Sequence, residues 1–409
     1  MTEITLADVE AARDRMTNED VVRRTPIEAS RSLSDVCGGD VTLKMEHLQR
    51  TGSFKTRGAY NKLSRLAERD DVERVVAASA GNHAQGVALA ATTFDIPSTI
   101  VMPTTAPQTK VDATRDYGAT VELVGSNFAE AMDYAESIAG DPGVAFVHAY
   151  DDPDIVAGQG TLGLEIAEQV DALDTVVVPI GGGGLISGVA TALKGRLDDV
   201  RIVGVQAEEA ATVPESLDKG IPVDHPDPNT IADGIATGGI SELTLDIIAE
   251  HVDEVVTVSD DEIARATLAM LERAKQVVEG AGAASVAALL TDDLDVEGER
   301  VVPILCGGNI DMSALQEVIT HALEDRSQLL TLRVKIEDRP GRLAEISDII
   351  ADHGGNVRSV RHDRAVEDLS IGEAYLVFEV VASGREHTEN VVESIEDAGY
   401  EVERLTKPV

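Results

Sequence analysis

Short apolar runs rich in β-branched residues alternate with helix-like segments between about residues 72 and 310. The runs are ERVVAAS, STIVMP, TVELVG, AFVHAY, DTVVVPI, RIVGVQA, VDEVVTV and RVVPILC. Strands of a parallel sheet are buried on both faces, so they read as nearly continuous apolar runs joined by helices. The pattern predicts an α/β region built from βαβ units around a parallel sheet.

The segment DEIARATLAMLERAKQVV shows the pattern of a helix within this region. Its residues Ile263, Ala266, Met270, Ala274 and Val277 recur every three or four positions, and charged residues occupy the other face. This spacing predicts a single helix that turns those five side chains toward the core.

The pattern changes near residue 327, after ALEDRSQ. The following segments read as strand (LLTLRVKI), helix (GRLAEISDIIADH), strand (NVRSVRHD), strand (EAYLVFEVVA), helix (REHTENVVESIEDA) and strand (YEVERL). The order βαββαβ is that of a ferredoxin-like unit. We therefore predict two domains, residues 1–327 and residues 328–409.

The charge balance narrows the classes of partner. Lys and Arg sum to 34 against 74 Asp and Glu, which gives a formal net charge of −40. So negative a surface repels nucleic acid, and we expect no nucleic-acid partner. The acids are spread along the chain, and the chain has nine Lys against twenty-five Arg. Such a surface suits a salt-rich cytoplasm, where charge repulsion is screened over about 3 Å, so we expect a halophilic source.

Cysteine content and hydropathy exclude further classes. Cys37 and Cys306 are the two cysteines, too few for a disulfide framework or a multi-cysteine zinc site. No apolar run approaches the roughly 20 residues that span a membrane, and MTEITLADVEAARDRM is unlike a signal peptide. We expect a cytoplasmic protein without a membrane partner.

The stretch TGSFKTRGAY contains Lys55, one of those few lysines. A lysine amine acts as a Schiff-base nucleophile and proton carrier when burial or nearby positive charge lowers its pKa. Phe54 and Arg57 are candidates to supply these two conditions. The alternative is a solvated surface lysine.

The stretch ASAGNHAQGVALAA follows a predicted strand and begins a helix rich in alanine. Small residues at such a turn leave backbone N–H groups free for a carboxylate or a phosphate. Asn82 adds an amide donor, whereas His83 is either part of the site or a packing histidine.

The stretch VVVPIGGGGLISG places Gly181–Gly184 between a buried strand and a helix. Consecutive glycines let several backbone amides surround one anion, which predicts a phosphate cradle; the alternative is a flexible turn. The loop lacks the spacing G-x-G-x-x-G of dinucleotide-binding loops. Glu208 nevertheless follows the next strand where a ribose-binding acid lies in such folds, so a nicotinamide-dependent oxidoreductase remains an alternative class.

The stretch VVPILCGGN ends a further buried strand with Cys306 and two glycines. The carboxyl ends of strands in open α/β sheets border the ligand crevice. Cys306 is therefore a candidate neutral group of the site or, alternatively, an inert buried side chain.

Together these stretches provide the lysine, anion loops and neutral polar group that pyridoxal phosphate requires. Their order along the chain resembles the threonine dehydratase family, pyridoxal-phosphate enzymes of the tryptophan-synthase β-like fold, over roughly residues 5–325. The resemblance implies a catalytic domain with two parallel-sheet subdomains, the smaller one at roughly 50–148 being inserted in the larger.

The resemblance also implies roles for individual residues. Lys55 matches the Schiff-base lysine of the motif S-F-K-x-R-G, and Asn82 matches the amide that contacts the cofactor's 3′ oxygen. The implied cofactor contacts are Lys55, Phe54, Asn82, Gly181, Gly182, Gly183, Gly184, Leu185 and Cys306. The implied substrate contacts are Ser79, Gly81, Asn82 and His83, whose loop holds the carboxylate.

Three positions refine the implied activity. Cys306 replaces the serine more common in these dehydratases, and a neutral group there favours elimination. Ala80 stands where related racemases carry an acid/base serine, which implies poor racemisation. Glu208 lies near the position where related racemases bind a divalent cation, but Thr212, Val213 and Pro214 supply no second carboxylate. We therefore expect no divalent metal site, and a monovalent site built from carbonyls is the open alternative.

The C-terminal unit resembles an ACT domain, an amino-acid-sensing module, through DRPGRLAEISDII and HGGNVRSV. The resemblance implies that Asp338, Gly341, Leu343 and Asn356 bind a regulatory ligand, with isoleucine or valine as the expected effector. The alternative is that DRPG is only a turn.

The expected activity is the conversion of L-threonine to 2-oxobutanoate and ammonia, with some activity on L-serine, in a homodimer or homotetramer. It would serve isoleucine biosynthesis or threonine catabolism. Alternatives are a serine racemase or serine dehydratase of the same fold, the nicotinamide-dependent oxidoreductase, and a catalytically silent amino-acid sensor.

Overall fold

The structure is a computed structural model that describes residues 4–226, 228–366 and 368–405. The strands are β1 (Ile27–Ala29), β2 (Asp40–Lys44), β3 (Arg74–Ala78), β4 (Ser98–Met102), β5 (Thr120–Leu123), β6 (Val144–Phe146), β7 (Thr175–Pro179), β8 (Arg201–Ala207), β9 (Glu254–Val258), β10 (Arg300–Pro303), β11 (Leu329–Glu337), β12 (Asn356–Asp363), β13 (Glu373–Val381) and β14 (Glu401–Leu405).

The helices are α1 (Leu6–Arg15), α2 (Arg31–Cys37), α3 (Lys55–Ala67), α4 (Asn82–Thr93), α5 (Gln108–Asp116), α6 (Phe128–Ala139), α7 (Pro153–Gln169), α8 (Gly184–Arg196), α9 (Val213–Lys219), α10 (Glu242–His251), α11 (Asp260–Ala269), α12 (Gly280–Leu289), α13 (Met312–Asp325), α14 (Arg342–Asp352) and α15 (Arg385–Asp397).

Two compact units divide the chain between Asp311 and Met312. In the first unit, one sheet has the order β1-β2-β10-β7-β8-β9 and a second has the order β5-β4-β3-β6. Every pairing in these sheets is parallel except that of β1 with β2. The predicted α/β architecture with parallel sheets is confirmed.

The smaller sheet of this unit is an insertion into the larger one. Its strands all lie within residues 74–146, between β2 and β7 of the larger sheet. Strands β7 and β4 are buried along their whole length, as continuous apolar runs require. Turns at the carboxyl ends of β3, β7 and β10 carry the candidate functional loops.

The second unit carries an antiparallel sheet of order β12-β13-β11-β14. Ile346 and Ile350 of α14 and Val391 and Ile395 of α15 are buried in one core with this sheet. The order βαββαβ begins at Leu329, as predicted, and α13 precedes it in the same unit. The predicted ferredoxin-like fold is confirmed.

The predicted single helix over residues 261–278 is wrong in its last part. Helix α11 ends at Ala269, a π-helical turn covers Met270–Ala274, and Lys275 has a left-handed φ of 59°. Val277 is consequently 45% exposed, although its spacing predicts a core position. Residues 275–279 are consequently not helical, and the next helix, α12, begins at Gly280.

Candidate active site

Lys55 is the first residue of α3, and its side chain points to residue 149 in the region bordered by the loops after β3, β7 and β10, which we call the cleft. The Nζ atom donates a hydrogen bond of 3.1 Å to the Ala149 carbonyl and lies 5.1 Å from the centre of the Phe54 ring. Burial lowers the pKa of Lys55 to about 8. A lysine with such a pKa loses its proton near neutral pH far more readily than an ordinary lysine, as a nucleophile or base must.

Arg57 does not supply the positive charge that was expected to lower the pKa of Lys55. Its guanidinium is buried, with Nε 2.6 Å from a Glu46 carboxylate oxygen and Nη1 2.7 Å from one of Glu165. The Lys44 Nζ atom is also 2.7 Å from a Glu165 carboxylate oxygen. The two carboxylates therefore balance the two positive charges of Arg57 and Lys44. The expectation that Arg57 lowers the pKa of Lys55 is wrong because Arg57 forms ion pairs within a buried network.

The loop from Ser79 to His83 follows β3 and begins α4. The Ser79 hydroxyl oxygen accepts the Gly81 N–H at 3.1 Å, and a Cβ at Gly81 would meet nothing within 4 Å. His83 Nε2 donates to the Val147 carbonyl at 2.8 Å. Burial, assisted by the charge of Lys55, lowers the pKa of His83 to about 3. The His83 side chain is thus a neutral packing group that ties the loop to the segment before Ala149.

The glycine loop is crowded by neighbouring side chains. A Cβ at Gly182 would lie 2.2 Å from the Tyr150 ring, and one at Gly183 would lie 2.8 Å from Thr244. Gly183 also has a φ of 88°, which disfavours other residues. Thr244 Oγ1 donates to the Gly182 carbonyl at 2.9 Å, which fixes that peptide. Leu185 is buried in the first turn of α8.

Cys306 follows β10 and is 2% exposed. Its carbonyl accepts the Phe54 N–H at 3.1 Å, so the cysteine lies beside the start of α3. Burial raises the pKa of its thiol well above the ordinary value, with a further contribution from Glu279. The thiol is therefore neutral at physiological pH.

These observations test whether the residues fit pyridoxal phosphate. The aldehyde of that cofactor needs an amine that can lose its proton, its phosphate needs a turn rich in free amides, and its ring nitrogen needs a neighbouring group. Lys55, the Gly181–Gly184 turn and the neutral Cys306 meet these requirements and come from three different chain segments. The residues fit the cofactor.

Sequence analysis missed four residues of the site. The Tyr150 ring packs on Gly182, and the His148 ring meets it edge-on with 4.7 Å between the ring centres. Glu279 accepts a hydrogen bond of 2.8 Å from Asn82, and Asn309 donates one of 2.7 Å to the same amide. A lone acid between apolar and small residues, VVEGAGAAS, is the only sequence signal of Glu279.

Glu208 lies in a short turn after β8 and is exposed. Within the described ranges, no group of three or more His, Cys, Asp or Glu side chains is arranged to hold a metal ion. Likewise, none of the helices in those ranges is long and apolar enough to cross a membrane.

The candidate effector residues lie in the second unit. Asp338 follows β11, and its carboxylate accepts hydrogen bonds from Arg364 at 2.6 Å and lies 3.4 Å from His362. Arg364 lowers the pKa of Asp338. Gly341 has a φ of 98° before α14, Leu343 is 42% exposed, and Asn356 is an exposed residue at the start of β12.

The comparison with protein families agrees with the chemistry of the first unit. Residues 19–307 match the family described as "Pyridoxal-phosphate dependent enzyme". The chain belongs to this family, and its cofactor is pyridoxal phosphate. This result replaces the nicotinamide alternative, in which Gly181–Gly184 and Glu208 would have held a dinucleotide. Residues 330–399 match the ACT domain family.

Two curated relatives extend over nearly the whole chain. An L-threonine ammonia-lyase of Thermotoga maritima is 46% identical over 98% of this chain and 99% of its own. An L-threonine ammonia-lyase of Geobacter sulfurreducens is 42% identical over 97% of this chain and 98% of its own.

Solved structures share the fold of the first unit. A processed threonine deaminase isoform 2 of Solanum lycopersicum has a TM-score of 0.73 at 38% identity, over 77% of this chain and 92% of that one. A maize serine racemase has a TM-score of 0.73 at 33% identity, over 80% of this chain and all of that one.

Proposed function

We propose that this protein is an L-threonine ammonia-lyase that converts L-threonine to 2-oxobutanoate and ammonia. The observation that carries the proposal is Lys55, whose pKa of about 8 suits a base and whose Nζ reaches across the cleft to Ala149. Similarity to relatives of that name over the full chain, ACT domain included, supports it.

Different residues of the site bind the substrate, bind the cofactor and transfer the proton in the proposed reaction. The backbone of the Ser79–His83 loop binds the substrate carboxylate, and the amides of Gly181–Gly184 bind the cofactor phosphate. Pyridoxal phosphate, when bound, withdraws electrons from the substrate's α carbon. Lys55 removes the proton from that carbon, and the β hydroxyl takes up one proton and leaves as water, so that no net proton is gained or lost. Water then hydrolyses the C=N bond of the dehydrated product and releases 2-oxobutanoate and ammonia.

Ala80 and Cys306 restrict the outcome. Ala80 supplies no proton donor on the face of the substrate opposite Lys55, so inversion of the α carbon is disfavoured. The neutral Cys306 thiol cannot keep the ring nitrogen protonated, which favours rapid elimination over a long-lived carbanion.

A serine racemase is the second candidate function, because serine racemase structures share this fold. Ala80 argues against it for the reason just given. We expect serine dehydration as a side activity, since one methyl group in a pocket discriminates by only about 1–3 kcal/mol.

We further propose that isoleucine or valine regulates the enzyme through the ACT domain. We also propose that the enzyme is a cytoplasmic homodimer or homotetramer and that its reaction serves isoleucine biosynthesis or threonine catabolism. The match of residues 330–399 to the ACT family supports the regulatory part. The net charge of −40 supports a halophilic source.

The test of the proposed activity is the Lys55→Ala variant. Wild-type protein should show the visible absorbance band of lysine-bound pyridoxal phosphate, lose it on borohydride reduction, and release 2-oxobutanoate from L-threonine. Lys55→Ala should lack the band and lose threonine turnover, because covalent anchor and base disappear together. Lys62→Ala, on the same helix but bound to Asp152 and Asp154, is the matched control.

Wild-type turnover in Lys55→Ala would refute the catalytic assignment. A wild-type protein that binds the cofactor without acting on threonine would favour the catalytically silent sensor.

A further inference from the structure

The side-chain amides of Asn309 and Asn82 have orientations that their neighbours determine. Asn309 Nδ2 is 2.6 Å from the Thr51 carbonyl oxygen, which can only accept, so this atom is the NH₂ group. The same Nδ2 donates to Asn82 at 2.7 Å, which identifies that Asn82 atom as Oδ1. The Asn82 NH₂ group therefore faces Glu279, whose Oε1 accepts from it at 2.8 Å.

The carboxyl group of Glu279 is itself held in place. The Glu279 N–H donates to the Gly307 carbonyl at 3.2 Å, and the Asn309 N–H donates to the side chain. A Cβ at Gly307 would lie 2.0 Å from Glu279 Oε1, so the carboxyl group occupies space that only glycine leaves free. Glu279 immediately precedes α12 and lies five residues after the π-helical turn ends at Ala274.

Glu279 uses only one of the two protons on the Asn82 NH₂ group. We propose that Glu279 is a positioning residue that, with Asn309, holds the Asn82 amide so that its second N–H faces the cleft and binds the ring oxygen of pyridoxal phosphate. The inference rests on the proposed function, because it gives a role to a residue of the same site.

Electrostatics give this positioning residue a pH dependence. The charged and titratable groups around Glu279 are Lys110, Asp233, Lys55 and Cys306. Burial raises the pKa of Glu279 to about 7, so its carboxyl group loses its proton near neutral pH. The ionised form is the stronger acceptor for Asn82. Its charge also favours the protonated form of Lys55, so ionisation of Glu279 raises the pKa of that lysine.

The test compares three full-length variants in titrations of the apoenzyme with pyridoxal phosphate, followed by absorbance. Glu279→Leu removes the acceptor and should weaken cofactor affinity roughly tenfold. Glu279→Gln keeps an acceptor oxygen and should restore most of that affinity. Asp233→Asn removes a neighbouring charge without touching Asn82 and is the control, with unchanged affinity.

A second measurement follows the rate at which acetic anhydride modifies Lys55 in the apoenzymes as a function of pH. The midpoint of this pH dependence reports the pKa of Lys55, which a purely structural role of Glu279 would not change. Both Glu279 variants should shift the midpoint for Lys55 to lower pH than in wild type, because the negative charge beside it is gone. Asp233→Asn should shift it less.

An unchanged cofactor affinity in a folded Glu279→Leu variant would overturn the inference. If that variant does not fold, Gly307→Ala displaces the same carboxyl group, and unchanged affinity there would overturn it equally. A wild-type enzyme that binds pyridoxal phosphate but does not deaminate threonine would contradict the proposed function and leave the positioning role standing.

Discussion

At the scale of single residues, the site depends on which side chains are charged at neutral pH. Burial acts in the same direction on three of them: it favours the neutral amine of Lys55, the neutral ring of His83 and the neutral thiol of Cys306. Burial therefore leaves the site with a lysine that loses its proton more readily than usual and with a histidine and a cysteine that carry no charge.

Ala80 offers a test of how one residue limits the reaction. In Ala80→Ser, a hydroxyl enters the half-buried position between Ser79 and Gly81, on the face that lacks a proton carrier. We expect measurable formation of D-serine from L-serine, with dehydration partly retained, in an assay by chiral chromatography. Ala80→Gly changes the size of the side chain without adding a hydroxyl and should give no D-serine.

The absence of D-serine from Ala80→Ser would mean that racemisation needs more than this single hydroxyl. The same assay with wild-type protein provides the baseline.

At the scale of elements, a buried network of charges positions helix α3 and therefore Lys55. Arg57 lies two residues after Lys55 and joins Glu46, after β2, to Glu165 of α7. Lys44 completes the network through Glu165 and donates to the Thr25 carbonyl at 2.9 Å. Two positive and two negative groups balance, and each is at most 12% exposed.

Replacing Arg57 tests this network. Arg57→Met leaves the Glu46 carboxylate buried without its ion-pair partner and leaves Glu165 paired with Lys44 alone, which should lower the free energy of unfolding by about 3–5 kcal/mol. Arg65→Met is the control on the same helix, because Arg65 is 53% exposed in its pair with Asp154 and should cost less than about 1 kcal/mol. Denaturant unfolding measures both.

The network also predicts acid sensitivity. Burial opposes ionisation of Glu165, but the charges of Arg57 and Lys44 outweigh it and lower its pKa. A carboxyl group with a lowered pKa stabilises the fold above its unfolded-state pKa and loses that contribution as pH falls through the folded-state value. Arg57→Met should therefore lose less stability than wild type on acidification, and an equal loss in both would contradict this account.

At the scale of the whole molecule, the two compact units predict separable catalysis and regulation. A chain ended near residue 327, the boundary predicted from sequence, should bind pyridoxal phosphate and deaminate threonine without responding to isoleucine or valine. In the full chain, coupling of about 1–3 kcal/mol should change apparent threonine affinity roughly 5- to 150-fold at saturating effector. Kinetic titrations with each branched-chain amino acid at high salt provide the measurement.

Further variants locate the response. A chain ended after Asp311 lacks helix α13, which groups with the second unit, and shows whether that helix affects catalysis. Asp338→Ala and Asn356→Ala in the full chain should abolish the effector response at an unchanged basal rate. A full chain indifferent to all branched-chain amino acids, or a shortened one still inhibited, would show that the proposed regulation is wrong.

The sequence by itself determined most of the strands and helices, and it predicted the motifs proposed to bind the cofactor. Continuous apolar runs predicted the buried parallel strands, and β12 spans Asn356–Asp363 as its segment predicted. Lys55, the Gly181–Gly184 loop and Cys306 could be predicted as site residues because each lies in a short motif that is recognisable from neighbouring residues alone. Strand burial and loop conformation are short-range properties, so a local pattern suffices to read them.

Tertiary structure alone decided which of these residues interact. Asn82 and Glu279 are 197 positions apart in sequence, and Arg57 and Glu165 are 108 apart. The local sequence around Arg57 does not show whether its charge acts on Lys55 or is neutralised in a buried ion-pair network. Nor does the helical spacing before Val277 reveal the π-helical turn that exposes it. Long-range packing sets burial, and burial sets both the pKa values and the hydrogen-bond partners, so these features required the folded chain.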